Sequence, residues 1–177
     1  LYEIHCIKSF VKHGFKVNLW TFGTTNVPDG VTICDASKFY SVDDIQTFRQ
    51  RGKQGCLAAF SDAFRYSVLK NYGGWWFDTD VVCLRDESDF AELLIDRQIV
   101  AGKEDDTYTN GAILNFPSKI TNQLALNKCN EICNNNREFE WGIVGPKLIT
   151  NFVKENNLFF SKNDQFFLKR IYNFNTL

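Results

Sequence analysis

Leu57, Phe60, Phe64 and Val68 recur at steps of three and four, the spacing of one buried helical face. Asp62, Arg65 and Leu69 share a second face of the same helix. The pattern breaks at Gly73-Gly74, where a left-handed C-cap is expected. Trp75-Trp76-Phe77 follows, a run too apolar for a sheet edge and therefore read as a central strand, and it stops at Asp78-Thr79-Asp80. Helix, break, strand and acidic end occupy residues 61–84, SDAFRYSVLKNYGGWWFDTDVVCL, without a spare loop.

The remaining elements can be placed around this stretch. Residues 2–13 predict a helix with Ile4, Ile7, Phe10 and Val11 inward, capped by Gly14. Residues 16–22 (KVNLWTF) alternate into a short strand, and residues 31–34 form another that leads to Asp35-Ala36. Residues 42–55 are charged and glycine-bounded, which predicts a solvated helix plus loop. After the acidic motif come an acidic turn (85–89), a short helical stretch (90–94), a strand (99–102), a polar loop (103–109) and a strand over 111–116 introduced by Asn110. Pro117-Ser118 opens a helix over 119–133 with Leu124, Ala125 and Ile132 inward.

Composition narrows the class. At 177 residues, 44% hydrophobic and net charge −1, the chain is one ordinary globular domain. There is no basic excess for nucleic acid or an anionic membrane, no run long enough to span a bilayer, and no signal peptide. Aromatic residues make up 15%, enough for a large core and for stacking on a sugar or a base. Six cysteines show no CxxC spacing and are complemented only by His5 and His13, so a reducing, cytoplasmic setting is the simplest expectation. Methionine is absent even at position 1, so a fragment or a lost start is expected; a fragment of a membrane-anchored enzyme would instead place the domain in the Golgi lumen.

The chemistry concentrates at Asp78 and Asp80. Ligands of open α/β sheets bind at the carboxyl ends of strands, and two acids there are costly unless something pairs with them. A hard divalent cation, Mg²⁺ or Mn²⁺, would do so, with phosphate oxygens and water in its other positions. Asp62 and Arg65 lie three apart on the preceding helix and so side by side. They read either as a clamp for one polar ligand or as a surface ion pair worth about 0.3 to 0.5 kcal/mol.

These residues resemble the signature of glycosyltransferases with the DXD sugar-binding motif, the group that includes yeast initiating mannosyltransferases, α-1,4-glycosyltransferases, bacterial capsular sugar transferases and clostridial glucosylating toxins. The shared pattern is Ser-Asp, two residues, Arg-Tyr, then Leu, Tyr, Gly-Gly, three apolar or aromatic residues and Asp-x-Asp. All of it is present over residues 61–80. Downstream, Trp141-Gly142-Ile143-Val144-Gly145-Pro146 is similar to the family's Gly-Pro segment before a late helix. The backbone at Gly145 could approach a ligand closely, since no Cβ obstructs it.

The resemblance implies a GT-A type α/β fold, a Rossmann-like mixed sheet flanked by helices in a single domain over 1–177, with the family's first strand missing from the chain. It implies a nucleotide-sugar donor, UDP-linked, and Mn²⁺ or Mg²⁺ held by Asp78 and Asp80. The acceptor would be a carbohydrate or a protein- or lipid-linked glycan, and transfer would proceed with retention. Asp62 and Arg65 would hold sugar hydroxyls, and Thr79 would lie at the donor. Asn110 would lie against the donor sugar, and Trp20 near the uracil or ribose, although a core tryptophan explains Trp20 equally. A late ligand to the metal or diphosphate would have to come from Asp164 or from a portion beyond the chain. Alternatives are a haloacid-dehalogenase-like phosphatase, with Asp78 as nucleophile and Lys103 and Asp105-Asp106 as later elements, a silent nucleotide-sugar-binding module, and a structural α/β domain.

Overall fold

A computed structural model describes residues 2–92, 94, 99–103, 107–116, 123, 124, 127, 128, 131, 132, 138–155 and 168–170. The order is α1 (Tyr2–Lys12), β1 (Val17–Thr21), β2 (Val31–Asp35), two 3₁₀ turns (Ala36–Lys38 and Asp43–Thr47), β3 (Arg49–Gln50) and β4 (Lys53–Gln54). Then come α2 (Leu57–Tyr72), β5 (Trp75–Phe77), β6 (Val81–Cys83), α3 (Glu87–Glu92), β7 (Val100–Lys103), β8 (Thr109–Asn115), β9 (Glu138–Phe139), α4 (Pro146–Glu155) and β10 (Leu168–Arg170). The fold is mixed α/β with several small sheets. β1 pairs in parallel with β2, β8 lies between β5 and β7 with both pairings antiparallel, and β10 is antiparallel to β6.

The break after α2 is as expected: Gly73 and Gly74 take φ of +65° and +78°, and the Gly73 N–H closes the last turn on the Leu69 carbonyl at 2.8 Å. β5 departs from expectation. Among the described strands β8 is the middle one and β5 lies at the edge of its sheet. Its apolar run is explained by burial on two faces instead. Side chains alternate along a strand, so Trp76 joins the large core of Phe60, Phe64, Tyr66, Leu69 and Leu114 beside α2. Trp75 and Phe77 join a second core with Phe10, Phe15, Val81 and Phe90, where Phe77 lies 4.3 Å from Phe10, ring centre to ring centre.

α1 also presents a different face from the one expected. Cys6 and Phe10 are its buried residues, while Ile4 is 40% exposed and Ile7 and Val11 are half-buried. The reason is the partner: Ser9 Oγ donates to the Cys6 carbonyl at 2.6 Å and accepts the Cys83 N–H at 2.8 Å, which turns the Cys6-Ser9-Phe10 stripe onto β6. Leu57, counted with the buried face of α2, is exposed at the helix start, one turn before the core begins at Phe60.

Residues 42–55 form a 3₁₀ turn and a β-hairpin rather than a helix plus loop. Arg51 and Gly52 both have positive φ, 51° and 75°, the geometry of a two-residue hairpin turn. The Glu138 carboxylate accepts the Gly52 N–H at 2.7 Å, and β3 runs parallel to β9. Of the helix expected over 119–133, Ile132 packs on the large core and Leu124 is exposed; Ala125, Cys129 and Cys133 lie outside the described residues, as do Asp105, Asp106 and Asp164. No described helix is long and apolar enough to cross a membrane.

Candidate functional site

α2 and β5 run antiparallel through the Gly73-Gly74 turn, so the first half of the helix stands beside the end of the strand. There Arg65 bridges two carboxylates. Its Nη1 lies 3.0 Å from Asp62 Oδ1 and its Nη2 3.3 Å from Asp78 Oδ1, with Ser61 Oγ accepting from Nη2 at 3.4 Å. Arg65 is 5% exposed, and its Nε is buried without a hydrogen-bond partner. The surface ion pair is thereby excluded as a reading of Asp62 and Arg65. A guanidinium this deep costs several kcal/mol in desolvation, and here two carboxylates and a ring offset that cost. Its Cζ lies 5.7 Å from the centre of the Trp76 ring, within reach of a cation–π attraction.

Two glycines from later elements make room for this group. A Cβ at Gly111, in β8, would fall on Nη1 of Arg65 and 3.2 Å from its Cζ. A Cβ at Gly145, in the turn before α4, would fall on Oδ2 of Asp62 and 2.9 Å from its Cγ. Neither glycine has a positive φ, so space rather than backbone freedom requires them. The close approach expected at Gly145 is taken by Asp62.

Asp78 is fixed from several directions. The Trp76 indole N–H donates to its Oδ1 at 2.8 Å, its own N–H donates to the Ala112 carbonyl at 2.8 Å, and its carbonyl accepts the Val81 N–H at 3.1 Å. Asn110 supports this from below: it is buried, and its Oδ1 accepts the Ala112 N–H at 2.5 Å, opposite a register shift between Ala101 and Gly102 on β7. Asn110 thus braces the strand that receives the Asp78 backbone.

Thr79 is exposed and Asp80 half-buried. The Asp80 carboxylate acts on α1: it adds to the burial that pushes the Cys6 thiol up, and it raises the Tyr2 phenol to a lesser degree than Glu3 does. Burial pushes the Asp62 carboxyl up to about 6; the Arg65 guanidinium pulls against this and Asp78 adds to it. Among the described residues no three His, Cys, Asp or Glu side chains are gathered as a metal cluster.

Trp20 does not reach this group. Its ring packs on Phe39, Phe64 and Tyr72, at 5.4, 6.4 and 4.9 Å between centres. Tyr72 ends α2, about 10 Å along the axis from Arg65 at the standard helical rise. Phe22, 36% exposed and with its ring tilted against Phe60 and Phe64, lies nearer the Asp62 end. Gly111, Trp76 and Phe22 were not legible as site residues, although the two-residue step from Trp76 to Asp78 does put both on one face of the strand.

Fold and site together are those of a mixed α/β domain in which a buried arginine bridges two carboxylates beside an Asp-x-Asp turn. Residues 5–99 match the family described as glycosyltransferase sugar-binding region containing DXD motif. That span is more than half of the 177 residues, and the chain belongs to this family. A comparison with curated proteins gives no match. The family region holds Asp62, Arg65, Asp78 and Asp80, while Gly111 and Gly145, which close over them, come from the chain beyond it.

Proposed function

We propose that this domain is a metal-dependent glycosyltransferase that moves a hexose from a nucleotide sugar, UDP-linked, to a hydroxyl of a carbohydrate or of a protein- or lipid-linked glycan, with retention at the anomeric carbon. The observation that supports it most is the Asp62–Arg65–Asp78 bridge, which sets two carboxylates of the family's sugar-binding region side by side at the end of β5, next to the Asp-x-Asp turn. Carboxylates held in this way are acceptors for the hydroxyls of a sugar. Mn²⁺ or Mg²⁺ fits Asp78 and Asp80, which offer hard carboxylate oxygens on a partly exposed turn and leave positions for phosphate and water. When bound, the ion would offset the charge that develops on the departing diphosphate.

The chain's own residues then divide the work. Asp62 and Asp78 accept hydrogen bonds from donor hydroxyls and so fix the anomeric carbon for the acceptor. Arg65, sequestered behind them, holds both carboxylates rather than reaching out alone. Gly145 backs Asp62 and Asn110 backs the Asp78 strand, so both support the donor site from behind, while Thr79 lies at the solvent side and Trp20 borders the base end, with Phe22 between it and the sugar. The four described cysteines, Cys6, Cys34, Cys56 and Cys83, are free thiols, which suits a cytoplasmic setting for the enzyme. A phosphatase is less well supported, because residues 5–99 match a glycosyltransferase sugar-binding region.

A thermal-shift screen of nucleotide sugars with and without Mn²⁺ tests the reading. A ligand at a hundredfold excess over its dissociation constant stabilises the native state by about 2.7 kcal/mol, so the true donor should raise the melting temperature in Mn²⁺ and not in EDTA. If no nucleotide sugar raises it under either condition, the proposal is wrong.

A further inference from the structure

Asp78 is held by a contact that does not belong to the Asp-x-Asp turn itself. Trp76 Nε1 lies 2.8 Å from Asp78 Oδ1, shorter than the 3.3 Å from Arg65 Nη2 to the same oxygen. The indole can do this because it is anchored independently of the carboxylate. Trp76 pairs across the sheet with Leu114, which is fully buried, and its ring meets Phe64 at 6.2 Å and 64°. The same ring lies against the Arg65 guanidinium. One side chain therefore touches both members of the Arg65–Asp78 pair.

We propose that Trp76 is a positioning residue for donor binding: its indole N–H sets the rotamer of Asp78 before any ligand arrives, and its ring keeps Arg65 in line with that carboxylate. An Asp carboxylate bound by one donor alone can pivot about its Cβ–Cγ bond, while two donors converging on one oxygen from different elements leave one orientation. Preorganised groups cost no reorganisation when the ligand binds, and a carboxylate misplaced by about 1 Å can lose on the order of a hundredfold in rate. This inference rests on the reading of Asp78 as a donor-binding residue, and the two can fail separately.

The test uses the full chain and Trp76→Phe, which keeps an aromatic ring beside Phe64 and Leu114 and removes the N–H donor together with part of the ring area. The indole N–H resonance missing from the variant's ¹H–¹⁵N spectrum identifies Trp76 in the wild type, and its exchange with solvent should speed up tenfold or more in Asp78→Ala. Unchanged exchange would overturn the proposal whether or not the chain binds a nucleotide. Calorimetric titration with UDP in Mn²⁺, run well below the variant's melting temperature, should then show binding weakened about tenfold in Trp76→Phe. Equal affinity in wild type and Trp76→Phe would also overturn it. Absence of UDP binding by the wild type would count against the glycosyltransferase reading instead, leaving the exchange experiment to decide on Trp76. Should Trp76→Phe fail to fold, Trp76→Leu serves in both measurements, since it fills part of the same core and carries no donor.

Discussion

Gly111 and Arg65 fit each other as a space and the group that fills it. A methyl at residue 111 would overlap Nη1 of the guanidinium, although the two residues lie far apart in the chain. Gly111→Ala should therefore destabilise the protein by forcing Arg65 off Asp62 and Asp78, a loss of several kcal/mol when a buried charge loses its partners. In an Arg65→Lys background, where no guanidinium occupies that space, the same Gly111→Ala change should cost much less. A double-mutant cycle by chemical denaturation measures this coupling; additive effects would mean that Gly111 and Arg65 do not share the space.

Arg65→Lys on its own should not be conservative. A guanidinium offers a planar fork that reaches two carboxylates at once, and an ammonium does not. With charge-assisted hydrogen bonds worth roughly 1.5 to 3 kcal/mol each, loss of one bridge should lower catalytic efficiency about tenfold to a hundredfold. Because Arg65 is buried between Asp62 and Asp78, melting temperature should fall too. Activity within about twofold of wild type would mean that the bridge is unimportant to transfer.

Asp62 makes stability depend on pH in an unusual direction. Its folded carboxyl is raised from 3.8 to about 6, so between about pH 4 and 6 the native chain holds a proton that the unfolded chain has released. Stability contributed by this group is present below about pH 4 and is lost as pH rises through 6, by an amount on the order of 2 to 3 kcal/mol. Asp62→Asn cannot titrate. Melting curves of both proteins should show the wild type losing about 5 °C or more relative to the variant between pH 4 and pH 7.5; a constant difference would contradict the burial argument.

The sequence already carried the organising stretch, because each of its parts is a local signal. The helical spacing of Phe60, Phe64 and Val68, the paired glycines at 73 and 74, and the acids at 78 and 80 all act within a few residues of one another. What was not legible came from distance in the chain. The edge position of β5 depends on its pairing with β8, and the buried face of α1 depends on Ser9 meeting Cys83. The hairpin at 49–54 was hidden by its charge, since Arg51-Gly52 makes a tight turn while the strands beside it carry no alternating apolar face. Gly111 could not be assigned from its neighbours at all, because its constraint is set by Arg65.

A covalent intermediate separates transferase from phosphatase. A nucleophilic Asp78 would form a phosphoryl-aspartate with a phosphomonoester, visible as an added phosphate by mass spectrometry and inhibited by fluoroberyllate. None is expected, and inhibition should come from the nucleoside diphosphate product. Detection of the acyl-phosphate on Asp78 would make the protein a phosphatase instead.

The most direct measurement is sugar transfer by Asp80→Asn. Hexose transfer from the nucleotide sugar identified by thermal shift should require Mn²⁺ or Mg²⁺ in the wild type and stop in EDTA. In Asp80→Asn it should be abolished, with the wild-type circular dichroism spectrum retained. Turnover in Asp80→Asn equal to wild type, or wild-type turnover unaffected by EDTA, would contradict a metal-dependent glycosyltransferase centred on Asp78 and Asp80.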